Sequence, residues 1–279
     1  MKSCNNVRKY TIRFCIRWAS ALAVSLCISS GSAQTVHISH CLAGCPRDLG
    51  AGLTGEDSRY DEIVVRHLYV AAINKQNGQS DWVAYRLLAD SVGVASLLPR
   101  LWVVDELVQN KRILEQADSI QSELIRTESI SDEARVYRIN EVQIDSDDQG
   151  RLAPMSGFAG TPYWRELNYL SNMSQLPPGL RMGSWSRLNQ SINEFAARVG
   201  EVFVISGPLY QDQLPTAYFK VIATKERQAA FIFPRNLDQH RRYCDQLSSL
   251  QRVQELANLE LFPNLESTQA ADLESEFGC

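Results

Sequence analysis

With 279 residues, 44% of them hydrophobic, the chain is long enough to bury a sizeable core and too apolar to be disordered. Its formal net charge of −4 excludes a surface that attracts polyanions everywhere, so binding to nucleic acid would need a local cationic cleft.

The chain opens on Lys2, Arg8, Lys9, Arg13 and Arg17, continues through an apolar run at 18–28, and reaches the small residues Gly31, Ser32 and Ala33. The apolar run is too short to cross a bilayer, and the pattern predicts a removable signal peptide over 1–33 and a mature domain over 34–279. The alternative is an uncleaved anchor. Cleavage implies a periplasmic or secreted protein without a membrane attachment. All five charges of the leader are basic, so the mature part carries 23 Lys and Arg against 32 Asp and Glu, a formal −9. Its four cysteines, Cys41, Cys45, Cys244 and Cys279, suit two disulfides in an oxidising compartment, with three connectivities open. His37 and His40 beside Cys41 and Cys45 offer zinc ligation as the competing use of those thiols.

Residues 34–59 are rich in Gly, with Cys41, Cys45, Pro46, Asp48 and Asp57 among them, and predict a stapled loop. Apolar runs at 63–74 and 82–89 predict two strands, with Asn77-Gly78 supplying the turn between them. Arg100 sits in a loop two residues before Trp102. The acidic stretch 105–135 predicts loop and one short helix, and 136–144 a strand. Thr161 is placed to cap a short helix with Pro162 at its first position, and 168–173 predicts a strand. Met182, Trp185, Leu188, Ile192, Phe195, Ala196 and Val199 recur at steps of three and four up to Gly200, predicting one long amphipathic helix. On that helix Arg181 and Asn189 would lie about 80° apart and face one cleft. Three apolar runs at 202–206, 217–223 and 229–233 suit a sheet, and Leu247, Leu250, Val253 and Ala257 mark a C-terminal helix. Strand runs mixed with helices, without β-α alternation, predict an α+β class in a single domain.

The most specific stretches lie between 148 and 222. The first holds Asp148, Gly150, Leu152, Ala153 and Pro154; the second reads Asn168-Tyr169-Leu170-Ser171-Asn172-Met173. Leu180, Gly183, Trp185 and Leu188 follow, with 13 positions from Asn172 to Trp185. Then come Ser206-Gly207-Pro208-Leu209-Tyr210 and Ala217-Tyr218-Phe219-Lys220-Val221-Ile222. Over about 60–265 the chain resembles the DNA/RNA non-specific endonucleases, secreted nucleases with a ββα-metal finger. The resemblance implies a central antiparallel sheet with flanking helices around that finger. It also implies disulfides Cys41–Cys45 and Cys244–Cys279. Arg100 would then lie near the scissile phosphate.

The same resemblance shows the family's chemistry replaced. Its general-base histidine corresponds to Arg151, the arginine of its D-R-G-H motif to Gln149, its metal-holding asparagine to Arg181 and its glutamate to Asn189. Asn172 is the reactive position retained in this block. A guanidinium has five donors and no acceptor and stays protonated, so Arg151 cannot take a proton from water. Nor does Arg181 offer Mg²⁺ the oxygen it needs. Together the four replacements add two positive charges, the charge of one magnesium ion.

The expectation is an exported pseudonuclease without hydrolytic activity and without a metal cofactor. Arg100, Arg151 and Arg181 would bind the phosphates of DNA or RNA. The alternative use of these arginines is an ion-pair network with Asp147, Asp148 or another acid. Two other functions stay open: an active endonuclease using Mg²⁺ with rearranged catalytic groups, or a protein-interaction module. The four histidines, His37, His40, His67 and His240, lie in no motif that would bring one to the cleft.

Overall fold

Apolar side chains that alternate along each strand fill both faces of one large sheet. The computed structural model describes residues 37–50, 58–76, 78–100, 102–108, 136–139, 142–145, 149–211, 214–265 and 271–279, all within one unit over His37–Cys279. Residues 1–33, where a signal peptide was expected, and 109–135, where the short helix was expected, lie outside them.

The strands are β1 (Arg47–Asp48), β2 (Tyr60–Val65), β3 (Val70–Asn74), β4 (Ser80–Leu88), β5 (Val136–Ile139), β6 (Val142–Asp145), β7 (Gln149–Arg151) and β8 (Met173–Gln175). After the helices α1 (Pro178–Met182) and α2 (Ser184–Val199) come β9 (Glu201–Gln211), β10 (Leu214–Ala223), β11 (Arg227–Pro234) and β12 (Leu247–Ser248). Helix α3 (Leu250–Ala257) and the short strands β13 (Leu259–Glu260) and β14 (Ala271–Asp272) complete the set. The main sheet runs β12-β11-β10-β9-β4-β3-β2, antiparallel throughout, and β14 adds in parallel to β11. This is the α+β, single-domain architecture expected, with the antiparallel sheet at its centre.

Side-chain alternation divides the core. Val83, Tyr85, Val204, Tyr218, Ile222 and Phe231 face one side, where α2 contributes Trp185, Leu188, Ile192 and Phe195. Trp82, Ala84, Ile205, Phe219 and Val221 face the other, where α3 contributes Val253 and Ala257. Ser249 caps α3 by accepting from Arg252 N, and Asn258 ends it in the left-handed conformation. The Cys41–Cys45 disulfide borders the second side, and Cys244–Cys279 closes the C-terminus, the pairing the resemblance implied. With both thiols of the first pair oxidised, zinc ligation there is overturned; His40 meets the Arg66 carbonyl instead, at 2.9 Å.

Several elements differ from expectation. The single strand at 63–74 is a hairpin, because Arg66 N bonds back to Tyr69 O and turns β2 onto β3. The strand at 136–144 is likewise the hairpin β5–β6. Thr161 caps nothing: its hydroxyl donates to Phe158 O, and the 3-10 helix that follows starts only at Trp164. Most of 168–173 is not strand; 3-10 turns at Trp164–Asn168 and Leu170–Asn172 lead into β8.

The long helix breaks at Gly183. A Cβ there would stand 2.4 Å from Gly179 O and 2.5 Å from Gln239 O, so backbone passes where a side chain would sit. Met182, expected on the buried stripe, is accordingly 54% exposed, and Arg181 and Asn189 ride on different helices.

Asp81 on β4 is buried, bonded by Asn74 Nδ2 at 3.0 and 3.1 Å and paired with Arg59 at 3.1 Å. Burial outweighs the Arg59 charge and raises its carboxyl to about 6. The folded state therefore holds this proton at a pH where the unfolded chain has lost it, and the stabilisation disappears as pH rises through about 6. Asp81→Asn should remove that part of the slope in unfolding free energy between pH 4 and 7. Parallel slopes for the two proteins would show that the carboxylate is fully satisfied when charged.

Candidate nucleic-acid interface

The site is assembled by laying a small hairpin across the first face of the sheet. Strand β7 pairs with β8, Arg151 opposite Met173. Gly150 is needed there because a Cβ would come within 2.5 Å of the Leu176 side chain. Three contacts tie the hairpin to the sheet side: Ser206 Oγ donates to Leu152 O at 3.2 Å, and the Tyr218 hydroxyl and Arg235 Nη1 both donate to Gln175 O, the latter at 3.3 Å. Helices α1 and α2 follow directly, giving the ββα order.

Arg151, at the end of β7, is half-buried. Its Nε donates to Leu167 O at 3.1 Å, its Nη2 donates to Asn168 Oδ1 at 2.5 Å, and its guanidinium lies 4.3 Å from the Trp102 ring centre. Asn168 in turn donates to Pro99 O, the residue before Arg100. Burial, then the positive charges of Arg100 and Arg181, lower Arg151 to about 10. The three expected arginines thus share one electrostatic neighbourhood, with Arg100 exposed and Arg181 half-buried. Asp147 and Asp148, the acids of the ion-pair alternative, lie outside the described residues.

Asn172 is fully buried. Its Oδ1 accepts from Ala153 N at 2.8 Å, while its Nδ2 donates to Ala153 O and Leu167 O at 3.1 and 3.0 Å. The side chain ties the residue two places after Arg151 to the carbonyl that Arg151 itself uses. Every oxygen and hydrogen of the amide that can bond is engaged with backbone.

Asn189, on α2, is also buried, and its Oδ1 accepts from Lys220 Nζ at 2.7 Å. Lys220 is fully buried and sits 3.9 Å from the Trp185 ring centre; burial pushes its amine well below the usual lysine range. Sequence reasoning missed Lys220, yet the signal was present. In the alternation of β10 it falls between Tyr218 and Ile222, both inward, and a lysine at an inward place demands a partner.

Trp102 and Asn168 were also missed as supports of Arg151. His67 was assigned to no site, and the structure joins it to the Trp164–Asn168 helix. Its Nδ1 meets Glu166 Oε1 at 2.6 Å, its backbone N donates to Glu166 Oε2 at 2.9 Å, and its ring stacks on Tyr163 at 4.1 Å.

Over 278 residues the chain is 27% identical to a protein named "Nuclease" from Serratia marcescens, covering 92% of this chain and 93% of that one. A chain in a crystal structure of the EndoG/EndoGI complex superposes with a TM-score of 0.55 at 18% identity, over 76% of this chain and 90% of that one, a likeness of fold. Residues 54–268 match the family described as DNA/RNA non-specific endonuclease, and the chain belongs to that family.

Proposed function

We propose that this protein is an exported pseudonuclease whose arginine cleft holds nucleic-acid phosphate without cleaving it. The observation that carries this reading is Arg151, fixed on Trp102 and Asn168 with the charges of Arg100 and Arg181 close enough to depress it. An ionised phosphodiester oxygen relieves such crowding and accepts forked N–H donors.

The residues do not suit a divalent cation. Guanidinium groups at 151 and 181 offer donors where magnesium needs oxygen, and the one side-chain oxygen at 189 is taken by Lys220. A divalent cation therefore finds no unengaged side-chain oxygen at positions 151, 181 or 189.

Short oligonucleotides, DNA or RNA, should bind the mature protein in the presence of a chelator. Binding should weaken steeply as salt is raised, because each neutralised phosphate releases counterions. Arg181→Ala should reduce it while leaving thermal stability nearly unchanged. If Arg181 instead served a buried ion-pair network, its removal would cost roughly 3–5 kcal/mol and the parent would bind nothing.

Export rests on the basic and apolar pattern at 1–33. Intact-mass measurement on protein from the native host should place the mature N-terminus near Gln34; a chain retaining residues 1–33 would overturn it. A second reading, an active nuclease with a relocated base, is favoured by His67, since Glu166 holds its Nδ1 and leaves Nε2 as the remaining ring nitrogen.

A further inference from the structure

The orientation of the Asn189 amide has a cause below it. Lys220 and Ser206 are cross-strand partners on β10 and β9, so their side chains leave the same face of the sheet. Ser206 reaches Leu152, the neighbour of Arg151, and Lys220 reaches Asn189. The two contacts bring α2 and the β7–β8 hairpin together over one pair of residues.

Lys220 is enclosed by Trp185 at 3.9 Å and Tyr85 at 6.0 Å, and no carboxylate lies against it among the described residues. Its nitrogen donates to Asn189 Oδ1 at 2.7 Å. An asparagine amide has an accepting end and a donating end, so engaging the oxygen inward directs the nitrogen the other way. Asn189 Nδ2 meets no protein acceptor among the described residues and is not sealed from solvent.

We propose that Lys220 is a positioning residue: by holding the oxygen of Asn189 it turns that amide's N–H groups toward the cleft, so position 189 donates to a bound phosphodiester oxygen. The inference rests on the phosphate-binding reading above and specifies its chemistry. With Arg151 and Arg181 also donating, the cleft recognises a ligand whose facing atoms are all acceptors. A fully ionised phosphodiester meets that demand with negative charge as well, whereas a metal ion accepts nothing and a neutral hydroxyl accepts without charge.

The test uses the mature protein, a short oligothymidylate as probe, a chelator and low salt. Lys220→Met keeps the stem length and apolar packing against Trp185 while releasing Asn189 to rotate. Oligothymidylate affinity should fall about five-fold or more in that variant, about ten-fold in Asn189→Ala, and no further in the double variant. In ¹H–¹⁵N spectra the Asn189 side-chain amide should shift on probe binding in the parent and not in Lys220→Met, a readout that a purely structural lysine would leave alone.

If the parent binds and Lys220→Met keeps its affinity and its amide shift, the positioning role is overturned while phosphate binding stands. A parent that binds no oligothymidylate overturns both. Should Lys220→Met not fold, Asn189→Ala decides: affinity within two-fold of the parent removes the donor and with it the proposal.

Discussion

Purified mature protein supplied with Mg²⁺ or Mn²⁺ is expected to leave supercoiled plasmid and RNA uncut above background. A positioned base is worth about 10²–10⁴ in rate, and groups acting as a unit do not lose activity additively. Arg151 cannot be that base: even lowered to about 10, its guanidinium remains protonated at neutral pH. Arg151→His alone should restore nothing, because Arg181 still repels a cation. The smallest set worth measuring is Arg151→His with Arg181→Asn and Asn189→Glu; in that variant a carboxylate would also come within reach of Lys220. Turnover by the parent that a chelator abolishes would sink the pseudonuclease reading. Turnover that His67→Ala abolishes would assign the base to the His67–Glu166 pair.

The largest stability effect should come from Asn172. Replacing it with Ala strips partners from Ala153 N and Ala153 O and leaves Leu167 O with Arg151 Nε. Buried backbone groups left without partners cost about 1–3 kcal/mol each, so Asn172→Ala should lose about 3–5 kcal/mol and lower Tm by roughly 10 °C. Asn172→Asp should not rescue it, since a carboxylate supplies none of the two N–H donations. A Tm within a couple of degrees of the parent, with oligonucleotide binding lost, would instead assign Asn172 to ligand contact.

The main strands and the two longer helices were legible because they depend on side-chain period, and β4, β9, β10 and β11 are long and apolar, while their assembly into one antiparallel sheet was what the resemblance implied. The block from 161 to 183 was not legible in the same way. Its 3-10 turns bury Leu167, Leu170 and Asn172 without a repeating period, and the break at Gly183 answers to the passing backbone of Gln239, far along the chain. Periodicity cannot report a neighbour so distant. The arginine positions were drawn from the resemblance to the family's motifs. Their supports were not, since Trp102 and Asn168 act through contacts to a residue some 17 to 49 positions away.

The sheet is packed on both faces, and the far face owes nothing to the cleft: Trp82, Ile205 and Phe219 meet α3 and the Cys41–Cys45 loop there. A change confined to the surface of the cleft therefore leaves that half of the core untouched. Positions 151 and 181, only half-buried, can thus change what the site grips while both packed layers of the core are kept.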